Sequence, residues 1–281
     1  MKIAVTLLSS YLYCSRKLFL EKVLKLAEPP KDSLLLGSIR HALMEQINAM
    51  EQEIVSSITT PLDRIGISKL YKRRYLRTVK SLVSNRAKAL KMVGAEPVDA
   101  FQSAWETAVR EADIRAENVA AFIEGTGFLG DELWEKLTPK ISGEVRIESE
   151  SLGLTGVIDQ LREYTDRVEP VELKTGRMPA EGVWPSHKIQ LGAYLIMLQE
   201  GGKTAPTGTV RYLDAKAEKD ITVNPFFKKE ILILREKVSE LLSGAQLPPI
   251  VVNRNKCQAC GLRQQCYDEG LMADKTAALG R

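Results

Sequence analysis

No apolar run in this 281-residue sequence approaches the roughly 18 residues needed to cross a bilayer, which excludes a helical membrane span. The first residues lack the small-residue cleavage site of a secretory leader, so the chain is expected to be a mature, cytoplasmic protein. Internal repeats and low-complexity tracts are absent, which excludes a repeat architecture. "GGKT" at Gly201 to Thr204 looks like the end of a phosphate loop, but Met197 stands where the earlier glycine is required, so an ATPase of that type is excluded. Histidine is scarce, with only His41 and His187. Acidic residues are missing from one long stretch: between Arg64 and Lys91 every charge is positive.

What is there is the composition of an ordinary globular protein, 44% hydrophobic and 27% charged, long enough to bury a substantial core. The net charge is only +4, yet the acid-free stretch holds Arg73, Arg74, Arg77 and Lys80 at its centre. A solvated helix face usually mixes signs, so this one-sidedness points to a polyanion, and these four residues are the candidate DNA contacts. Helical periodicity covers residues 6–27, 36–56, the stretch after Pro61 to about Val93, and 99–121. From Gly143 the period changes to two: "GEVRIESE", "LTGVIDQLREY" and "RVEPVELK" read as three strands. "SHKIQLGAYLIMLQE" returns to a helix, "GTVRYLD" and "KDITVN" give two more strands, and Pro225 to Leu242 a last helix. That order implies an α/β core with a mixed sheet and a large helical excursion, not a doubly wound nucleotide fold.

Residues two apart on a strand share a face, so Glu172 and Lys174 project together. Asp159 ends the apolar "GVID" of the preceding strand. If those strands pair, Asp159 and Glu172 lie side by side, and two adjacent carboxylates repel unless a cation neutralises them. Mg²⁺ or Mn²⁺ suits such oxygen ligands, and Lys174 would then act on the water or the scissile phosphate. A surface hairpin with salt-bridged charges is the alternative, because one D…ExK match is a weak signal. Gln190 and Tyr194, at i and i+4 on the next helix, add to the set. His41, near the start of a helix, could supply a nitrogen ligand and would favour Mn²⁺. His187 reads as a capping or DNA-adjacent residue and receives no chemistry.

Cys257, Cys260 and Cys266 fall within ten residues, and Cys14 is the one remaining thiol. Disulfides are disfavoured inside a cell, so a metal centre joining the N-terminal helix to the C-terminal tail is expected. Four thiolates satisfy zinc and an iron–sulfur cluster alike.

Cys14, Gly37-x-x-x-His41, "GVID", "ELKTG", Gln190-x-x-x-Tyr194 and C-x2-C-x5-C occur in an order that resembles the RecB-type nucleases of the PD-(D/E)XK superfamily. Within these, the chain is similar to the CRISPR-associated iron–sulfur exonucleases. The resemblance spans Cys14 to Cys266. It implies a restriction-endonuclease-like mixed sheet flanked by helices, with a helical insertion and an iron–sulfur domain joining both termini. The segments would be 1–60, carrying Cys14 and His41; 61–140, the basic helical insertion; 141–245, the nuclease core; and 246–281, the cysteine segment. It further implies His41, Asp159, Glu172 and the Leu173 carbonyl as ligands of Mn²⁺ or Mg²⁺. Lys174 would be the catalytic lysine, with Gln190 and Tyr194 in support, and Cys14, Cys257, Cys260 and Cys266 would hold a 4Fe–4S cluster. The activity implied is metal-dependent exonuclease action on single-stranded DNA ends during CRISPR spacer acquisition, with integrase proteins and further copies of the chain as partners. Its alternatives are a related iron–sulfur DNA-repair exonuclease, a silent DNA-end-binding subunit, and a zinc-stabilised structural protein.

Overall fold

The computed structural model describes residues 2–251 and 253–280. Strand β1 (Ile3–Ala4) leads into α1 (Val5–Lys22), followed by α2 (Asp32–Ala49), α3 (Glu51–Ser56), α4 (Arg64–Met92), α5 (Pro97–Thr126) and α6 (Gly130–Lys136). Then come β2 (Lys140–Ser149), β3 (Leu154–Glu163), β4 (Val168–Lys174), α7 (Pro185–Glu200), β5 (Gly208–Tyr212), β6 (Ala217–Ile221) and α8 (Phe227–Ser243). Three short helices close the chain: α9 (Arg254–Ala259), α10 (Arg263–Tyr267) and α11 (Glu269–Ala277). None of the described helices is long and apolar enough to cross a membrane.

The long helices follow from their sequences. Asp63 caps α4 by accepting the Gly66 N–H at 2.7 Å, and Ile67, Tyr71, Tyr75, Val79 and Leu82 then recur on one buried face. Pro97 opens α5 and Gly127, with φ of 73°, closes it in the left-handed conformation. Between them Ala100, Ala104, Ala108, Ala112 and Ala116 form a buried stripe of small side chains against which α4 packs closely. Helix α7 is buried at every residue from Ile189 to Leu198, so its pattern is nearly uniform instead of amphipathic.

The six strands form one mixed sheet in the order β1-β3-β4-β5-β6, with β2 also on β3. Pairs β1/β3 and β4/β5 are parallel and the others antiparallel. The parallel pair β4/β5 needs a crossover, and α7 is that crossover, which sets it against the end of β4. One core combines α1, α7, α8 and the sheet; a second lies among α2 to α6 and takes in Val171 and Leu173. Phe19 and Leu20 of α1, with Leu24 just beyond it, join Leu262 and Met272 of the tail in a third cluster.

The element order agrees with the periodicity, and the differences are local. A strand at Ile3–Ala4 was not foreseen, because two residues carry no period. The helix expected over 36–56 begins at Asp32 and divides at Met50 into α2 and α3. Helix α1 stops at Lys22, short of the expected residue 27, and Lys25 turns left-handed at φ of 56°. The last strand covers Ala217–Ile221, earlier than "KDITVN" suggested.

Candidate functional site

Asp159 sits where the sheet opens. On one edge of β3, pairing with β4 begins only at Gln160↔Val171, while β1 pairs with Leu154 and Thr155, so residues 156–159 face a gap. On the other edge, β2 runs in register but omits the Glu144–Asp159 pair. Glu144 causes the omission with its left-handed backbone, φ of 51°, next to Gly143, which crosses Asn48 so closely that a Cβ there would lie 2.4 Å from that side chain. In the gap the Asp159 carboxylate takes the place of a strand, accepting the Leu173 N–H at 2.7 Å on Oδ2. Asn48 Nδ2 donates to the Asp159 carbonyl at 3.2 Å from below.

Glu172 and Lys174 share a face, as the two-residue period required, and that face meets α7. Lys174 Nζ lies 2.7 Å from Glu172 Oε1, Gln190 Nε2 donates to the same oxygen at 2.7 Å, and Gln190 Oε1 accepts from Lys174 at 3.0 Å. Glutamine is suited to this because its amide donates to the acid and accepts from the base at once. Tyr194, one turn on, is buried beneath Gly156, with its hydroxyl 3.5 Å from Gln190 Nε2. It braces the glutamine from within the core and is not open to DNA. Val171 and Leu173 point into the opposite core.

Glu172 is only 2% exposed, and its Oε2 is buried with no hydrogen-bond partner. An orphaned buried carboxylate oxygen is costly. Burial, opposed by Lys174 and reinforced by Asp159, pushes the Glu172 pKa up to about 7. Burial likewise pushes Asp159 up to about 6, against the pull of the Leu173 N–H and Lys174. Two adjacent acids with an unsatisfied oxygen are what a hard divalent cation relieves, with waters completing its shell.

His41 reaches this region because Gly37 lets α2 approach β4: a Cβ on Gly37 would lie 2.9 Å from Thr175 Oγ1. Arg40 also ties α2 to Asp214, which accepts the Gly176 N–H at 2.7 Å. His41 is exposed, yet partial desolvation lowers its pKa, with Glu172 acting in the opposite direction. Among the described residues no three His, Cys, Asp or Glu side chains converge on a single ion, so the positioned pair is Asp159 with Glu172, and His41 stands beside it. The Leu173 N–H, not its carbonyl, is the group seen to engage the acids.

The sequence reading missed two further acids. Partial burial and the charges of Glu45 and Glu172 raise the Glu144 pKa, so Glu144 borders the same carboxylates. Glu45 follows His41 by four residues on α2, a spacing that could have revealed it. Nothing in the sequence announces Glu144, whose position depends on one left-handed residue.

The four thiols are free and line one pocket with Tyr13, Arg16 and Lys17. Helix α1 is interrupted at Cys14, where the backbone is extended, and Cys14 Sγ accepts the Lys17 N–H at 3.3 Å, so the sulfur caps the helix's second half. Arg16 clasps the tail with Nε on Cys266 Sγ at 3.2 Å and further donors on the carbonyls of Pro248 and Cys266. On α4, Arg73, Arg77 and Lys80 are exposed on one face with no ion pair among the described residues, whereas Arg74 pairs with Glu53 at 2.9 Å.

Comparison with known proteins places the chain in a family. The profile of the PD-(D/E)XK nuclease superfamily matches residues 2–267. The "CRISPR-associated exonuclease Cas4" of Rhodospirillum rubrum is similar at 24% identity over 140 residues, 49% of this chain and 42% of that protein. A "CRISPR-associated exonuclease Cas4/endonuclease Cas1 fusion" of the same organism is 25% identical over 137 residues, 48% of this chain and 24% of the fusion. The "DNA replication ATP-dependent helicase/nuclease DNA2" of Xenopus tropicalis is 21% identical over 286 residues, 94% of this chain and 26% of that protein. The chain thus spans less than half the length of each of these relatives.

Proposed function

The chain belongs to the PD-(D/E)XK nuclease superfamily, and from this we propose that it is a metal-dependent DNA exonuclease acting on single-stranded ends, which processes DNA for CRISPR spacer acquisition. The observation that carries the reading is the orphaned Oε2 of buried Glu172 beside Asp159, with Lys174 fixed on the same acid by Gln190. Asp159 and Glu172 would hold Mn²⁺ or Mg²⁺, with His41 and the Leu173 carbonyl as further donors, and the ion would supply charge neutralisation and polarisation of the phosphodiester. Asp159 offers Oδ1 while the Leu173 N–H fixes Oδ2, so the carboxylate cannot swing away. Lys174, restrained by Gln190 Oε1, presents its ammonium to the attacking water or a phosphate oxygen and offsets charge that develops there. Tyr194 and Gln190 hold this arrangement from α7. Arg73, Arg77 and Lys80 would track the DNA backbone, with Arg74 held partly by Glu53.

Cys14, Cys257, Cys260 and Cys266 all line the thiol pocket and would hold a 4Fe–4S cluster there, a donor set that zinc would also accept. We divide the chain accordingly into 1–60, 61–140, 141–245 and 246–281, the last folding back on the first. The fusion relative's printed name joins an exonuclease to an endonuclease, which supports a CRISPR-associated endonuclease as partner. A second reading, a related DNA nuclease outside CRISPR systems, is supported by the DNA-replication helicase/nuclease alignment, which runs along 94% of this chain.

End-labelled single strands incubated with Mn²⁺ or Mg²⁺ test the activity. Stepwise shortening by the parent protein and its loss in Lys174→Ala are expected; equal behaviour of the two would end the nuclease reading.

A further inference from the structure

Tyr212 ends β5 in register with Lys174. Its ring is buried and its hydroxyl meets two groups: it accepts the Trp184 N–H at 3.4 Å and lies 3.0 Å from His187 Nδ1. If Nδ1 carried the proton, the phenolic hydrogen would have no acceptor among the described residues. The satisfied arrangement has the phenol donating to Nδ1, which leaves the single proton of the neutral imidazole on Nε2. The ring is held by packing against Tyr212, with centroids 5.6 Å apart. Among the described residues Nε2 has no protein partner and is not a buried unpartnered atom, and His187 is half-buried, so Nε2 opens to solvent. Lys174 is near enough for its charge to act on the ring; burial first, then that charge, depresses the His187 pKa to about 4.

We propose that His187, locked by Tyr212 as its Nε2–H tautomer, donates a hydrogen bond to a phosphate oxygen of the bound DNA strand beside Lys174. The proposal deepens the nuclease reading and rests on it for the identity of the substrate. A neutral donor suits the place: it adds a hydrogen bond to an anionic oxygen without setting a second cation against the Lys174 ammonium. The residues involved come from three elements, the end of β4, the start of α7 and the end of β5, all converging on one rim of the acidic site.

The tautomer is read directly from the imidazole ¹⁵N shifts of the parent protein at neutral pH, which should report a proton on Nε2; a proton on Nδ1 overturns the proposal. Binding of a single-stranded oligonucleotide is then measured in a Lys174→Ala background so that cleavage does not interfere. His187→Ala should weaken binding about tenfold, the cost of a lost bond to a charged group. His187→Gln, whose amide can replace Nε2–H, should restore most of the affinity, and His187→Asn should not. Tyr212→Phe should leave the fold intact, as judged by its melting profile, and populate the other tautomer. Affinity and turnover of His187→Ala within about twofold of the parent would overturn the proposal. If the parent fails to cleave DNA while His187→Ala still loses binding, the nuclease reading falls and the donor stands. If cleavage depends on Lys174 and not on His187, the reverse holds.

Discussion

Glu172 is an acid that the fold keeps from water on one oxygen while offering it a lysine and a glutamine on the other. Its raised pKa has a definite sign in linkage. The proton is held more tightly in the folded protein, so stability is full below the ordinary carboxylate pKa and falls as pH rises through about 7; Asp159 adds a similar loss up to about 6. Through these two acids, metal-free protein should therefore melt at a lower temperature at pH 8 than at pH 5. Added Mn²⁺ should raise the melting temperature more at pH 8, because ligands must be deprotonated to bind. Thermal melts with and without Mn²⁺ at both pH values check this. Glu172→Gln should shrink the difference to the share that Asp159 contributes and reduce turnover by roughly 10²–10³-fold, the order expected for a key electrostatic group. Much at this scale was legible: spacing alone put Glu172 with Lys174, and Gln190 with Tyr194. The left-handed Glu144 and the Asn48 contact, 111 residues distant from Asp159 in sequence, were not, since both arise only when β2 crosses α2.

Helices α4 and α5 carry a different mixture of foreseen and hidden features. The acid-free charge pattern of α4 made its exposed ridge readable, and neutralising Arg73, Arg77 and Lys80 together should lower the salt slope of single-strand binding by about 2 if each meets one phosphate. Binding titrations across a salt series measure it. Behind the ridge lies a buried network no linear pattern discloses. Arg115, 1% exposed, bonds Glu111, Glu51 and Asn48, while Arg211 joins Glu111 to Gln160 of β3. Burial alone would raise the Glu111 pKa, but Arg211 and Arg115 outweigh it and hold it at about 2. Its contribution to stability is therefore present above the ordinary carboxylate range and disappears as pH falls toward 2. Arg115→Met leaves buried Glu51 without its cation, while Glu111 keeps Arg211, and should cost about 3–5 kcal/mol in urea unfolding.

Across the whole molecule, the tail returns to α1. Lys256 donates to the Tyr13 carbonyl at 2.9 Å, Lys31 to the Ala259 carbonyl at 2.8 Å, and Glu28 accepts the Gly261 N–H at 3.0 Å. Cys14→Ser removes one proposed cluster ligand from this seam. It should bleach the visible absorption of the purified protein and make residues 246–281 the first site of limited proteolysis. The cysteine spacing foretold a link between the ends; the broken helix at Cys14 and the Arg16 clasp that build it were invisible in the sequence.

Strand β4 belongs to two interiors at once. Val171 and Leu173 are gripped by the helices of one side, whereas Glu172 and Lys174 answer to α7 on the other. A substitution deep in the helical side, at Leu43 or Ala112 for instance, can therefore tilt the reactive acids without touching them. Random mutagenesis for slow but well-folded variants should find a remote hinterland of hits there, far from Asp159, Glu172 and Lys174.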